Sequence, residues 1–362
     1  MIANTLARYF ARQFVGASLA VFAGIFVLVV LIDYIEMTRK TAGIASASAL
    51  LIAQTSLYRV PQLLERLMPF CVQVGAMACY LTLSRRLELV VARAAGVSAW
   101  QIVAPALACA IVAGTLVTTA YNPLSATLAE RAKRMETELM GDRGGGLQDA
   151  AGFWVNQVTS EGQSIINAAS SRAEGTLLLG ISIFRLTPDG RLKDRIEARE
   201  AQLEGGHWLL KDVHRYTLNA PVVNEDTYVL ATGLTREQVR DTFSTPETVS
   251  FWQLAEYIAS SEHSGITASR YRLQYHKLIA LPFLLGAMVL LASSVSLRLF
   301  RLGGVQKMII GGMLAGFLLY VLQKITEDLS KADLMNPMVA AWLPVCVGSL
   351  TGLLALLYQE DG

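Results

Sequence analysis

Charged and apolar residues are combined at the spacing of a short amphipathic helix in the segment from Ser84 to Ser98, SRRLELVVARAAGVS. Arg86 and Glu88 supply charges, and Leu89 and Val90 supply apolar contact. Such a helix can lie flat against a membrane. It can also insert into a groove on a partner protein, where a carboxylate forms charge-assisted hydrogen bonds with basic groups. Basic residues beside membrane helices are common, so these residues alone favour the first alternative.

Arg39 and Lys40 are a second pair that could bind a ligand, because they follow the first long apolar stretch of the chain. A guanidinium group binds phosphate through paired, charge-assisted hydrogen bonds, and an ammonium group attracts phosphate as a point charge. Long basic side chains can also bury their stems in a membrane and keep their charged ends in water. The residues alone leave a phosphate site and a membrane anchor as equal alternatives.

Motifs for catalysis are absent from the sequence. It contains no GxxxxGK[ST] phosphate loop, no HExxH and no GxSxG. The four histidines and four cysteines have neither metal-ligand nor disulfide spacing. We therefore expect no catalytic residue, metal site or cofactor in this chain.

The composition is typical of a membrane protein. Apolar residues make up 53% of the 362 residues and charged residues 17%, and the mean hydropathy is +0.42. The net charge of +2 and the lack of a run rich in lysine and arginine exclude a nucleic-acid-binding surface.

Two groups of apolar stretches are long enough to cross a bilayer as helices, for which about 20 residues are needed. Their centres lack the acidic residues and histidines that proton-coupled transport would favour, so the energy for any transport would come from a separate ATPase. The predicted spans are Phe14–Ile32, Leu63–Leu83, Ala99–Tyr121, Leu278–Leu297, Met308–Leu322 and Val339–Tyr358.

The distribution of basic residues predicts the orientation in the membrane. Loops on the side of the segment 84–98 are richer in arginine and lysine, so this side and both termini should be cytoplasmic. The opposite side would carry Arg39, Lys40, Arg59 and Arg66 in a longer loop, which makes the bias modest. The region between the two groups of spans would then be extracytoplasmic.

That central region has the pattern of a β domain. Alternating runs at 153–156, 164–167, 180–186 and 208–210 are separated by turn signals that include Pro188-Asp189-Gly190 and Gly205-Gly206. The pattern predicts an all-β sandwich or jelly roll.

The predicted fold class is an α+β membrane protein with six transmembrane helices, three on each side of a β-jelly-roll domain. The first domain, 1–140, holds three spans and the short helix at about 84–97. The β domain covers 141–250, and 251–362 holds a connecting helix and the last three spans.

Short motifs along nearly the whole chain resemble the LptF/LptG permease family of the lipopolysaccharide exporter, and within it the LptG chains. Each motif is weak alone, but their order and spacing together are specific. They are Leu6-x-Arg8-Tyr9, Arg39-Lys40-x-x-Gly43, Glu88-Leu89-Val90-Val91-x-x-Ala94-x-Gly96, Leu179-Gly180-Ile181-Ser182-Ile183, Arg270-Tyr271-x-Leu273, Gly316-Phe317-x-x-Tyr320-Val321-Leu322, and Asn336-Pro337 followed by Leu343-Pro344.

The resemblance implies a permease subunit in the bacterial inner membrane, with the central domain in the periplasm. Its expected partners are an LptF-like permease, an LptB-like ATPase dimer and an LptC-like protein with a membrane anchor and a periplasmic β domain. ATP and magnesium would bind the ATPase partner rather than this chain. The expected substrate is lipopolysaccharide.

The resemblance also implies roles for individual residues. The helix with Arg86, Glu88, Leu89 and Val90 would couple to the ATPase, which reverses the preference for a membrane-surface helix. Arg39 and Lys40 would attract lipid phosphates, and Phe317 and Tyr320 would face lipid chains or the other permease. Asp33 departs from the family pattern, in which a basic residue can stand there.

Two other functions remain alternatives. Permeases of lipoprotein release belong to the same broad class, but they usually place their large domain after the first helix, whereas here it follows the third. A membrane scaffold that transports nothing is the alternative from another class, and ATPase activity that depends on this chain would exclude it.

Overall fold

A computed structural model describes residues 2–42, 48–140, 153–159, 162–172, 176–187, 192–217, 221–232, 246–263, 268–299 and 305–360. The chain divides into two compact units. The helical unit comprises Met1–Lys133 and Pro246–Gly362, and the β unit comprises Arg134–Thr245.

Within the described residues, six helical segments are long and apolar enough to cross a membrane, three before the β unit and three after it. This confirms the predicted α+β membrane protein with an inserted β domain. The helices are α1 (Ile2–Thr41), α2 (Ala49–Arg85), α3 (Glu88–Ala94), α4 (Ala99–Leu116), α5 (Asn122–Met140), α6 (Phe251–His263), α7 (Ser269–Leu299), α8 (Val305–Lys331) and α9 (Pro337–Glu360).

The first two membrane helices are much longer than predicted, and this corrects the position of several charged residues. Arg59 and Arg66 lie within α2 rather than in a loop. A predicted span ends where hydropathy falls, but arginine, lysine and glutamate are good helix formers, so the helix continues beyond the apolar stretch. Arg59 lies 3.6 Å from the buried Asp33, and Arg66 lies 3.8 Å from Glu247. Asp33 also lies within α1, one residue beyond the predicted end of the first span, and it is buried.

A π-helical turn at Val117–Tyr121 joins α4 to α5, so the predicted third span and its charged extension form one helical run. The turn is a junction for neighbouring helices. Thr118 Oγ1 donates to the Leu278 carbonyl of α7 at 2.8 Å, and Tyr121 Oη donates to the Pro61 carbonyl of α2 at 2.9 Å. These bonds fix α4 against both helices at one level.

Glycines allow the helices of this unit to approach closely. A Cβ atom on Gly114 of α4 would lie 2.4 Å from the Pro282 Cα of α7, and one on Gly316 of α8 would lie 1.9 Å from Gln73 Oε1 of α2. Gln73 Nε2 donates to the Gly312 carbonyl at 2.7 Å. The Gly312-x-x-x-Gly316 motif therefore packs α8 against α2 of the same chain.

The β unit contains an antiparallel sheet of six described strands. One set of alternating side chains, which includes Ile166, Ile183, Ile196 and Trp208, forms its buried core. The strands are β1 (Phe153–Thr159), β2 (Gly162–Arg172), β3 (Leu177–Leu186), β4 (Leu192–Glu204), β5 (His207–Thr217) and β6 (Val223–Ala231).

The described strands pair in sequence order, β1 to β6, rather than in the order of a jelly roll. Short connections explain this order, because consecutive strands joined by tight turns pair with each other. Gly205 and Gly206 have φ values of 50° and 86° and form the predicted turn between β4 and β5. The predicted turn at Pro188-Asp189-Gly190 lies outside the described residues.

Candidate functional site

The connection between α2 and α4, residues 86–98, forms a short helix between two sharp reversals of the chain; we call it the Glu88 loop. Leu87 has a φ of 60°, a left-handed conformation that is unusual for a bulky residue. Gly96 has a φ of 82°, which costs glycine little, and Ser98 then starts α4 with a capping box. The strained backbone at Leu87 defines where α3 begins and places Glu88 at its first residue.

The two faces of α3 have different environments. Leu89 and Ala92 are buried in the main core of the helical unit. Leu87, Val90 and Val91 are 59%, 43% and 67% exposed and form an apolar surface. Of the predicted coupling residues, Val90 is thus available to a partner, whereas Leu89 holds the helix against the membrane helices.

Glu88 is joined to the first residues of α1. Tyr9 Oη donates a hydrogen bond to Glu88 Oε2 at 2.7 Å. Arg86, the other predicted charged coupling residue, is exposed on the same loop. In the sequence, Tyr9 is recognisable only as part of a family motif, because nothing local connects two residues 79 positions apart.

Arg39 and Lys40 lie in the last turn of α1, at the opposite end of the helical unit. The 30 residues from Tyr9 to Arg39 correspond to about 45 Å of helix. We call this end of the unit the far end and the end with the Glu88 loop the loop end. Lys40 Nζ lies 2.6 Å from Glu36 Oε1, so the charge of this lysine is partly balanced, and Arg39 is exposed. The structure therefore separates the two predicted sites by the length of α1.

Phe317 and Tyr320 belong to an unpartnered apolar surface on α8. They are 56% and 43% exposed, and the Tyr320 ring also packs against Phe70 of α2 at a centroid distance of 5.4 Å. In the most apolar stretch of α8 only 22% of residues are buried, and in that of α1 only 6%, against 78% for α7. The exposed large apolar residues of the two helices include Leu19, Val27, Leu28, Leu31, Ile32 and Ile35 of α1, and Ile310, Met313, Leu314, Phe317 and Leu318 of α8.

A comparison with known protein families identifies the relatives of this chain. Residues 8–358 match the model of the family described as "Lipopolysaccharide export system permease LptF/LptG". The chain belongs to this family. The match includes both groups of membrane helices and the β unit between them, and it confirms the resemblance found in the sequence motifs.

Curated relatives agree with the family match. The chain is 26% identical over 320 residues to the lipopolysaccharide export system permease protein LptG of Escherichia coli strain K12, covering 87% of each chain. It is 25% identical over 336 residues to the LptG protein of Haemophilus influenzae strain Rd, covering 90% of this chain and 91% of the relative. Both relatives are thus similar to this chain over nearly their full lengths.

Proposed function

We propose that this chain is an LptG-type permease subunit that exports lipopolysaccharide from the bacterial inner membrane, driven by ATP hydrolysis in a partner. The observation that carries the proposal is the family match over residues 8–358, which includes the helices, the Glu88 loop and the β unit together. The chain moves substrate mechanically and performs no covalent chemistry.

The unpartnered surfaces of the helical unit support an assembly with other chains. The most apolar stretches of α1 and α8 are only 6% and 22% buried within the chain, so both helices have surface available to a further chain or to lipid. An LptF-like permease would cover part of them, and the acyl chains of lipopolysaccharide would contact the rest, including Phe317 and Tyr320. An LptC-like protein would extend the assembly into the periplasm.

The Glu88 loop suits docking to an LptB-like ATPase dimer, which would bind ATP and magnesium. The exposed Val90 and Val91 would enter a groove on the ATPase, and the Glu88 carboxylate would pair with a basic group there. Tyr9 joins Glu88 to α1, so a movement of the loop would pass directly to a helix that faces the substrate.

The far end of α1 would meet the charged part of the substrate. Arg39 and Lys40 would attract the phosphates of lipopolysaccharide, and the acyl chains would lie deeper, along the apolar surfaces. The β unit would lie in the periplasm and receive the lipid as it leaves the membrane. Narrowing of the space between the two permeases would expel it in that direction.

The lipoprotein-release alternative agrees less well with the order of elements. The β unit follows the third membrane segment, after α4 and α5, whereas permeases of that type usually carry their large domain after the first. A scaffold without a substrate would leave the apolar surfaces of α1 and α8 to bulk lipid.

Reconstitution tests the proposal. The chain would be purified with its co-expressed partners and placed in vesicles that contain lipopolysaccharide and an acylated protein. ATP-dependent release of each to an added periplasmic acceptor would then be measured. We expect release that requires ATP and this chain. ATP hydrolysis without release of lipopolysaccharide, but with release of an acylated protein, would favour the alternative transporter.

A further inference from the structure

A cavity of about 220 Å³ lies inside the helical unit, between α2, α7, α8 and α9. A buried water requires about 10–15 Å³ of such volume, so the cavity is an order of magnitude larger than a site for one structural water. It is separate from the exposed surfaces of α1 and from the Glu88 loop. Its wall includes Tyr320, one of the residues predicted to face lipid chains, and it continues from there to a group of charged residues that has no predicted role.

Its most polar feature is a cluster of three charged groups on two membrane helices. Lys277 Nζ of α7 lies 3.0 Å from Glu327 Oε2 of α8, and Lys331 Nζ lies 2.9 Å from Glu327 Oε1. The side chains of Lys277 and Glu327 are 26% and 15% exposed. Two ammonium groups share one carboxylate, so the cluster carries one positive charge in excess.

A purely structural ion pair does not explain this composition. The cluster lies near the far-end termini of both helices, where Lys331 is the last residue of α8 and is 37% exposed. One lysine would be enough to neutralise Glu327, whose side chain is 15% exposed. The second lysine adds charge without a second acid. Each ammonium group has three N–H donors and uses one of them on the carboxylate, so further donors remain for a ligand in the cavity.

The two acidic residues elsewhere in the wall are bonded to groups outside the lysine cluster: Glu247 faces a cation, whereas Glu65 accepts hydrogen bonds from neutral groups and keeps its charge. Glu65 accepts hydrogen bonds from Asn122 Nδ2 at 2.8 Å and from Ser125 Oγ at 2.6 Å, one on each carboxylate oxygen. Glu247 lies 3.8 Å from Arg66. The other cations of the wall, Arg66 and Lys324, each face one carboxylate. Among the described residues of the wall, the lysine cluster is therefore the group in which two cations share one acid.

The cavity is polar at one end and apolar at the other. Along α7, the wall residues after Lys277 in the direction of the loop end are apolar and include Leu284 and Met288. Along α8, the wall residue Lys331 lies at the far end, and Tyr320 lies nearer the loop end. The two helices are antiparallel, since Lys277 meets Glu327 while Gly311 lies beside Val295. Both gradients therefore run in the same direction, with the charges towards the far end and the apolar wall deeper in the unit.

We propose that this cavity binds a phospholipid of the membrane, a ligand distinct from the exported lipopolysaccharide. The phosphate would accept hydrogen bonds from Lys277 and Lys331, and one acyl chain would lie along the apolar wall formed by Leu284, Met288 and Val345. A membrane helix bundle has lipids as its available amphiphiles. The volume suits a headgroup with part of one chain better than a lipid with many chains.

The experiment uses the intact complex in a maltoside detergent, which contains no phosphate. A phosphatidylglycerol with a photoreactive diazirine in one acyl chain is added and activated, and labelled peptides are identified by mass spectrometry. A diacylglycerol with the same chains but no phosphate, and a diazirine-labelled lipopolysaccharide, are used in parallel. We expect labelling of α7 and α9 peptides by the phospholipid, about tenfold above the diacylglycerol, as expected for loss of a charge-assisted contact.

Two variants and a control separate the site from general effects. The first is a triple variant that combines Lys277→Gln, Glu327→Gln and Lys331→Gln. It keeps polar side chains in place and removes all three charges together, so no charge is left unpaired. Ala341→Phe leaves all charges and fills the apolar part of the cavity, where Ala341 is buried. Arg12→Gln removes an exposed cation at the loop end of α1. Labelling should fall about tenfold in the first two variants and stay unchanged in the third.

Other results would overturn the inference. Equal labelling by diacylglycerol would mean that the cavity takes any acyl chain, and labelling by lipopolysaccharide alone would assign it to the exported substrate. Ala341→Phe retains all the charges, so it remains a test even if the triple variant does not fold. Unchanged labelling in Ala341→Phe would show that the lipid does not bind in the cavity. None of these measurements needs transport, so a failure of the proposed export function would leave this result intact.

Discussion

Helices α7 and α1 are similar in sequence character and opposite in environment. Their most apolar stretches have mean hydropathies of 2.3 and 2.8, yet 78% of the α7 stretch is buried inside the chain and only 6% of the α1 stretch. In a membrane, hydropathy reports contact with an apolar environment and does not distinguish protein from lipid. The comparison indicates that α7 packs mainly against other helices of the chain and acts as its scaffold. The surface of α1 is instead available for contact with other molecules.

The largest effect on stability is expected where α4 meets α7. Gly114→Ala would place a Cβ atom 2.4 Å from the Cα atom of Pro282, a contact that only a backbone shift can relieve. Overpacking of this kind costs about 1–3 kcal/mol. We expect a clear fall in the thermal midpoint of the purified complex.

Gly24→Ala on α1 is the matched control, because nothing lies within 4 Å of a Cβ atom at that position. Its midpoint should equal that of the wild type. A loss of stability as large as that of Gly114→Ala would mean that α1 is as tightly packed as α7, which would remove the contrast between the two helices.

Glu88→Ala should uncouple the permease from its ATPase without unfolding it. Losing a charge-assisted hydrogen bond costs about 1.5–3 kcal/mol, or roughly 10- to 100-fold in affinity. Binding of the purified ATPase to the permease pair would measure this. Wild-type binding and transport in the variant would show that the Glu88 loop is not the docking element.

Replacement of both Arg39 and Lys40 by Glu should weaken crosslinking to lipopolysaccharide by about tenfold, because it reverses the charge offered to phosphate. ATPase binding at the loop end should not change. A variant with Trp at both positions is the control, because an aromatic residue replaces a membrane anchor but not a phosphate ligand. Full activity of the Trp variant would assign the pair to anchoring.

The sequence predicts the six membrane helices and four of the strands, because hydropathy and alternation are local signals. It does not predict β4 or β6, whose segments LKDRIEAREAQLE and VNEDTYVLA are too charged to read as strands. Only pairing with neighbours makes them strands, for example through the bidentate contact of Arg185 with Asp194.

The candidate sites show the same limit. Glu88 and Arg39 can be identified from local motifs, and Asp33 can be seen to depart from the family. The contact of Tyr9 with Glu88 and the cluster of Lys277 with Glu327 join residues 79 and 50 positions apart. Such contacts depend on how the helices pack, which one sequence does not reveal.

Tyr9→Phe should have the smallest effect of these changes. It keeps the ring, whose centroid lies 6.0 Å from that of Phe10, and removes only the hydroxyl that donates to Glu88. One neutral hydrogen-bond donor is worth about 0.5–1.5 kcal/mol, so lipid released per ATP should fall roughly 2- to 10-fold. In a double-mutant cycle with Glu88→Gln, additive effects would show that the two side chains do not act together.

The most direct test of the account places a photoreactive benzoylphenylalanine at Phe317 of α8 and, in a second variant, at Phe283 of α7. Both residues are exposed, at 56% and 49%, but Phe283 lies on the scaffold helix, where it packs against Trp342. After irradiation of living cells, we expect adducts of lipopolysaccharide at position 317 and none at position 283. Adducts of equal yield at the two positions, or at 283 alone, would contradict it.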